Sequence, residues 1–347
     1  MKVLVTGATG FIGSKLVRDL VELGADVSIL VRPSSADAIQ KKDGNLAGLN
    51  FRVVSGDLGD LSSLKQAVAG VDRVFHLAGL VTAIDTADFY RCNTQGTKNL
   101  IEAIGAVNPN LERFVFVSSL AAGGPMKLRQ ERVEGDTDAP VSEYGKSKKA
   151  AEVEVLKWVD RVSTAIIRPP MVYGPRDKAS FVLIKTVAGG WMPMVAGASP
   201  DKKKYYSSIH VDDLCQGILK AGMADSNKFR SGDHFYLSSN QYVSYEDFLG
   251  SMAKALDVSS RKIVVPALAL KAAAVVTSKM MQITGKSHPL TKDKLSEILP
   301  DYWLCSNQKA KTHFGFEPQF EVEQGMKITV RWYQENGWLK AKHLKKN

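Results

Sequence analysis

Tyr144 and Lys148 stand four residues apart in YGKSK, a spacing that puts both on one face of a helix running to about Trp158. A free phenol has a pKa of roughly 10 and moves protons poorly near neutrality. An ammonium one turn away favours the phenolate and brings that pKa toward a working range. Ser119 follows the apolar run Phe114–Ser118 (FVFVS), where its hydroxyl can hydrogen-bond the reacting oxygen of a substrate. Proton transfer at an oxygen is the chemistry these three side chains offer. The opening stretch, MKVLVTGATGFIG, says what accompanies it. Lys2–Thr6 reads as a short buried strand and Phe11–Leu23 as a helix, with Gly7, Gly10 and Gly13 between them at intervals of three. Gly7 permits a tight turn, Gly10 lets backbone N–H groups approach a pyrophosphate, and Gly13 lets the helix pack close to the strand. The helix N-terminus adds unpaired N–H groups and a favourable dipole, which completes a dinucleotide fingerprint. The positive charge of an oxidised nicotinamide would then join Lys148 in favouring the phenolate.

The intervening elements have to bring these parts together. Gly24 ends the first helix, and Asp26–Val31 (DVSILV) forms a second strand. An acid just past that strand would bind the ribose 2′-OH of NAD, whereas an Arg accommodates the 2′-phosphate of NADP. Arg32 occupies that place, followed by Pro33, Ser34 and Ser35, which favours NADP(H); stacking on adenine, compatible with NAD, is the other role open to Arg32. Phe51–Ser55 is a third strand closed by Gly56-Asp57-Leu58, where a carboxylate can accept from the adenine amino group. Leu61–Val68 is a crossover helix, and Arg73–Leu77 (RVFHL) is a fourth strand. It runs out into Ala78-Gly79, small enough for a cofactor to cross the sheet edge. Asn93–Gly105 is a helix, and FVFVS is the fifth strand. The alternation predicts an α/β fold, a Rossmann-type doubly wound parallel sheet with ligands beyond the strands' carboxyl ends.

With TGATGFIG, GDL, HLAG, NTQGTKNL, VSS, YGKSK, RPPMVYGP and IHVDDL in order from Met1 to about Leu219, the chain resembles the extended short-chain dehydrogenase/reductase family, within the NAD-dependent epimerase/dehydratase superfamily. The resemblance implies that Thr6, Gly7, Thr9, Gly10, Phe11, Ile12 and Gly13 hold the pyrophosphate. Asp57 would bind adenine, Pro169 and Pro170 would touch the nicotinamide carboxamide, and Leu58, Leu77, Ala78, Gly79 and Val117 would line the cofactor. Tyr144 would be the general acid/base, with Lys148 holding the nicotinamide ribose and lowering the Tyr pKa. Ser119 matches the catalytic Ser/Thr position, and Asn93 a helix Asn that supports the active-site geometry. Gly79 departs from relatives that carry a second Ala there. Helices at Asn93–Gly105 and Tyr144–Trp158 pair subunits in many relatives, so a homodimer is expected.

Two branches of the family remain open. Many nucleotide-sugar enzymes place an Asn soon after the Arg of the RPP segment. UDP-galactose epimerase has an Arg three residues before its IHV-like motif, and both side chains hold a diphosphate. Aligned on Arg168 and Ile209, those positions here are Met171 and Tyr206, which do not replace an amide and a guanidinium. Lys202–Lys204 keep the sugar reading open. VRPSS and RPPMVYGP look more like dihydroflavonol reductases and 3β-hydroxysteroid dehydrogenases. Phe181–Val195 and Val264–Ile283 are rich in apolar residues, and the second reads as a helix. Its first role is core packing; a substrate lid or a monotopic membrane contact comes second. Lys271 and Lys279 interrupt it, which argues against a membrane span.

The 347 residues divide into a dinucleotide-binding domain over 1–170 and a smaller substrate lobe over 171–347, with some segments returning to the sheet. No signal peptide is visible, and Cys92, Cys215 and Cys305 lack metal spacing and suit reduced thiols, so the expected location is cytoplasmic. The net charge of +10 favours an anionic ligand. Lys202–Lys204 and Lys340, Lys342, Lys345 and Lys346 read as a solvated loop and a frayed end, with no nucleic-acid motif beside them. His210, Asp212 and Asp213 read as a structural motif before a Leu214–Ala221 helix, and no metal site is expected. Membrane contact is not expected either. The reading is an NADP(H)-preferring oxidoreductase that interconverts a carbonyl and a secondary alcohol on a moderately apolar small molecule. The alternatives are an NAD-dependent nucleotide-sugar epimerase/dehydratase and, in another class, a non-catalytic NADP-sensing regulator.

Overall fold

Short runs of Val, Ile, Leu and Phe with no polar alternation specify strands covered on both faces. They form β1 (Lys2–Thr6), β2 (Asp26–Val31), β3 (Arg52–Ser55), β4 (Arg73–His76), β5 (Arg113–Val117), β6 (Thr164–Arg168) and β7 (His234–Tyr236). The structure is a computed structural model that describes residues 1–35, 39, 45–285, 288 and 290–340; Lys342, Lys345 and Lys346 lie outside the described residues. Among the described residues these strands make one seven-stranded sheet in the order β7-β6-β5-β4-β1-β2-β3, parallel throughout. The chain reverses its winding direction between β1 and β4, so both strands end at the switch point.

Alternate residues of β1 face opposite layers. Val3 and Val5 pack with Leu16 and Leu20 of the Phe11–Glu22 helix and with Leu214 and Ile218 of the Val211–Met223 helix. Leu4 packs with Leu64, Leu100, Ile104 and Val155 from the helices of the other layer. A third core, around Tyr173, Phe248, Met326 and Tyr333, joins the Lys178–Ala188, Tyr245–Leu256 and Val322–Glu335 helices beside the sheet.

Three expected helices differ. Asn93 lies in a π-helical turn, Tyr90–Gln95, and the regular helix follows over Gly96–Val107. The Asn93 side chain is tied to Leu80 and Ser147, and holding it there inserts the extra residue that marks a π-turn. The helix expected from Leu214 starts at Val211, because His210 caps it by accepting from the Asp212 N–H at 3.4 Å. Val264–Ile283 is not one helix. Arg261–Val265 pairs in parallel with Trp191–Val195, and the helix Ala267–Thr284 begins after Pro266, which suits a helix start because it has no N–H to leave unpaired.

Where β1 and β4 meet, a buried relay ties these two strands to the Gly96–Val107 helix. The Thr97 hydroxyl donates to the Asn93 carbonyl at 2.6 Å, so its oxygen is left to accept from His76 Nε2 at 2.9 Å. His76 Nδ1 must then accept from the Thr6 hydroxyl at 2.6 Å, and Thr6 in turn accepts from the Ala78 N–H at 3.3 Å. The imidazole stacks between Phe114 and Phe116 and has no exposed surface. Burial, helped by the Lys148 charge, pushes its pKa down to about 3. An unfolded chain takes up this proton near pH 6.5, so the contribution to stability is complete above 6.5 and is lost as pH falls toward 3. His76→Gln should cost about 1–3 kcal/mol at neutral pH by leaving a buried hydroxyl unpaired. It should also flatten this part of the acid limb in urea unfolding followed at several pH values.

Candidate active site

Because every strand of the sheet runs the same way, their carboxyl ends share one edge, and the residues singled out in the sequence collect there. Gly7 and Gly10 follow β1, Arg32 follows β2, Asp57 and Leu58 follow β3, and Leu77, Ala78 and Gly79 follow β4. Val117 ends β5, with Ser119 two residues on, and Pro169 and Pro170 follow β6. The glycine loop is close-fitting. Gly7 has φ +71°, and a Cβ on it would stand 2.6 Å from the Ala78 nitrogen; one on Gly13 would stand 2.2 Å from the Gly7 carbonyl oxygen. The helix beginning at Phe11 has no side-chain cap, which leaves backbone N–H groups at its start for an anion. Thr9 is exposed at the loop, whereas Phe11 and Ile12 lean on the core and the Thr6 hydroxyl is committed to the His76 relay. Arg32 is exposed at the tip of β2, two residues beyond Leu30, which pairs with Thr6. Asp57 is exposed and accepts from the Gly59 N–H at 2.7 Å. Leu58 packs on Gly96, and its carbonyl accepts from Asn99.

The Glu143–Leu156 helix positions Tyr144 and Lys148, and its start is held from far away in the chain. Ser142 caps the Gly145 N–H, and Ser142 itself donates to Glu297 at 2.7 Å. Asp293 accepts from the backbone N–H of Glu143 at 2.6 Å and of Tyr144 at 3.3 Å. Tyr144 is half-buried, its phenol on the side of the Ser119 hydroxyl, with its ring beside Phe89 and against the cluster of Leu120, Tyr236 and Trp303. The Lys148 ammonium is buried over the Phe116 ring and donates to the Val117 carbonyl at 2.7 Å. The Asn93 carboxamide sits beside it, accepting from the Leu80 N–H at 2.7 Å and donating to the Ser147 hydroxyl at 2.9 Å.

The electrostatics run against the expected lowering of the phenol. Burial pushes the Tyr144 pKa up to about 12, over the opposing Ser119 hydrogen bond, and the Glu297 charge adds to the rise. Burial pushes Lys148 down to about 8. Protein groups alone therefore keep the phenol protonated. Ser119 also spends its oxygen as the acceptor for the Ala121 N–H at 3.1 Å, which fixes its direction.

Sequence reasoning missed three supports. Arg168, seen only as part of RPP, is buried between Glu152 and Asp138 with paired contacts to each of 2.5–2.8 Å. Asp293 and Glu297 gave no local signal, since they act on a helix about 150 residues earlier. The Lys202–Lys204 loop is not simply solvated. Lys204 is buried, donating to the Leu299 carbonyl at 2.5 Å and to Asp301 at 3.0 Å. Met171 packs in the third core, and His210 packs between Tyr173 and Phe320. Asp213 accepts from the backbone of Gln319 and Phe320, away from the edge of the sheet. Among the described residues no group of His, Cys, Asp or Glu is placed to hold a metal ion.

The sequence pattern of the NAD dependent epimerase/dehydratase family matches residues 3–235. The chain belongs to this family. It is an NAD(P)-dependent oxidoreductase of the extended short-chain dehydrogenase/reductase type. Ceramide reductase of Caulobacter vibrioides (strain NA1000 / CB15N) is 27% identical over 343 residues, covering 97% of this chain and 96% of its own. The 4-hydroxy-2-methyl-3-oxo-4-farnesyl-3,4-dihydroquinoline-1-oxide ketoreductase of Stigmatella aurantiaca is 30% identical over 337 residues, covering 94% and 95%. The fold matches that of the Thermus thermophilus UDP-glucose 4-epimerase in complex with NAD, with a TM-score of 0.74 at 21% identity over 96% of this chain and 99% of that one.

Gly79, the departure from the family pattern, has a local reason. A Cβ there would stand 2.9 Å from Asn93 Oδ1 and 3.8 Å from Lys148 Nζ. Three hydrogen bonds hold the Asn93 amide and prevent it from yielding cheaply. Gly79→Ala should therefore destabilise the protein by about 1–3 kcal/mol, the cost of overpacking, measured as a fall in the urea midpoint.

Proposed function

We propose that this oxidoreductase reduces a carbonyl on a moderately apolar small molecule, or oxidises the matching secondary alcohol, with NADP(H). The observation that carries the substrate class is the apolar surroundings of Tyr144: its ring lies beside Phe89 and, like Tyr206, packs on the cluster of Leu120, Tyr236 and Trp303. The diphosphate ligands of the sugar enzymes are replaced by Met171 and Tyr206, and Lys204, which could have compensated, is spent on Asp301. The names of two relatives, a ceramide reductase and a farnesyl-dihydroquinoline ketoreductase, support the same class.

The residues at the sheet edge fit a dinucleotide: the side-chain-free loop at Gly7 and Gly10, the uncapped helix start and the exposed Arg32 are complementary to phosphates. We assign Thr6 to Gly13 to the pyrophosphate, Asp57 and Leu58 to the adenine end, and Leu77 to Gly79, Val117, Pro169 and Pro170 to the nicotinamide half. When bound, the nicotinamide supplies or accepts a hydride, and its oxidised form adds positive charge beside the phenol. Tyr144 donates its proton to the carbonyl oxygen as negative charge grows there, and takes it back in the reverse direction. Ser119 hydrogen-bonds the same oxygen and fixes the substrate's approach. Lys148 supports the ribose and stabilises the phenolate left behind; Asn93 keeps Lys148 and Gly79 in place. We place the protein in the cytoplasm, on the strength of its three free thiols, and as a homodimer through the helices that hold Asn93 and Tyr144.

Two tests bear on this reading. Tyr144→Phe should lower turnover on a panel of apolar ketones by roughly 10²–10⁴-fold, the usual worth of a positioned acid, while NADPH binding stays within about twofold. Turnover intact in Y144F would end the assignment. Arg32→Ser should weaken NADPH binding by roughly tenfold, about the worth of one charge-assisted contact, and leave NADH binding unchanged. Tightly retained NAD in the purified protein would move the reading to a nucleotide-sugar epimerase.

A further inference from the structure

The Ala267–Thr284 helix has an arrangement that ordinary packing does not explain. A helix on the surface of a soluble protein turns a polar face outward, and one that is apolar all round is normally buried. Here only Ala274 and Met281 are buried, although core packing was the first expectation for the segment. At 100° per residue the outward arc contains Leu268, Lys279, Ala272, Ile283, Val276, Ala269 and Met280, so one lysine stands within an otherwise apolar face. Leu268 is 78% exposed, Val276 56%, Met280 55% and Ile283 84%. The strand that leads into the helix adds exposed Ile263 and Val264.

Charge says what suits this face. Between Asp257 and Asp293 the sequence contains no Asp or Glu, but it contains Arg261, Lys262, Lys271, Lys279, Lys286 and Lys292. Lys262 is paired with Glu246 from a neighbouring helix, whereas Lys271 and Lys279 lie on the apolar helix itself. Two copies meeting through this face would set lysine against lysine. An anionic bilayer surface accepts both features, since apolar side chains enter the headgroup boundary while the lysine stems snorkel toward phosphates. No helix among the described residues is long and apolar enough to cross a membrane, so contact would be along the surface.

We propose that the Ala267–Thr284 helix docks this protein on anionic lipid bilayers. The helix is joined to the catalytic region through short links. Thr277 donates to the Leu290 carbonyl at 2.5 Å and the Lys292 N–H donates to Ser278 at 3.2 Å. Asp293, the next residue, holds the start of the Tyr144 helix. The bilayer-facing helix and the proton donor are thus fixed in one frame. The docking does not depend on the reaction proposed above.

The test is flotation of the full-length protein with phosphatidylglycerol/phosphatidylcholine vesicles and with phosphatidylcholine vesicles alone, at low and high salt. The protein should float with the anionic vesicles, less so at high salt, because exposed charges are screened. Val276→Asp with Ile283→Asp should lower the bound fraction by roughly tenfold or more through loss of apolar burial. Lys271→Glu with Lys279→Glu should remove the preference for phosphatidylglycerol. NADPH affinity within about twofold of the parent protein shows that each variant is folded, and the readout is separate from turnover. Failure to float with either vesicle, or flotation unchanged by both double variants, overturns the proposal. So does a change of oligomer mass in sedimentation velocity with no change in flotation, which would make the face a contact between copies.

Discussion

A guanidinium with no exposed surface holds the working edge of this molecule together. Arg168, the last residue of β6, meets Glu152 on the Tyr144 helix, Asp138 on the preceding loop and the Tyr236 hydroxyl on β7. Ser118 donates to the same Glu152 at 2.6 Å, and Lys149 is drawn to Asp138. Each ion would be expensive to bury alone, and the paired geometry is what makes the set tolerable. The consequence is positional. The side chain that precedes Pro169 and Pro170 is clamped to the helix that presents Tyr144 and, through Ser118, to the strand end that presents Ser119. Three elements are thereby locked in register at the place where the chemistry needs fractions of an ångström.

Around that clamp the environment keeps the Tyr144 phenol protonated. Tyr144 is held neutral by burial, and Lys148 is buried enough to lie near the edge of neutrality itself. The neighbouring His76 is so deeply packed that it stays uncharged, and it serves as a two-ended hydrogen-bond bridge. Burial and the Glu297 charge both hold the phenol up, so any gain in its acidity depends on what binds beside it.

Much of this was legible in the sequence because the signals were local. A buried parallel strand needs an uninterrupted apolar run, and a pyrophosphate loop needs glycine where a Cβ would strike Ala78 or Gly7. Tyr144 and Lys148 declare themselves by spacing. What stayed hidden depends on distant partners. Nothing in RPP reveals that Arg168 faces two carboxylates, and a run of three lysines does not show that the third is buried against Asp301. The π-turn at Asn93 follows from its ties to Leu80 and Ser147, which no periodicity in NTQGTKNL encodes. At Pro266 the apolar pattern simply continued, so a strand and a helix read as a single helix.

The carboxylate latch on the Tyr144 helix also imposes a schedule. Asp293 grips Glu143 across 150 residues of chain, so the helix is made long before its anchor exists. At about 5–20 residues per second of synthesis, roughly 8–30 s separate the two events. Through that interval the parallel sheet can assemble and Arg168 can clamp the middle of the helix through Glu152, while the helix start at Glu143 and Tyr144 still lacks its Asp293 acceptor. A nascent chain would thus complete its sheet and glycine loop before the start of the Tyr144 helix is fixed.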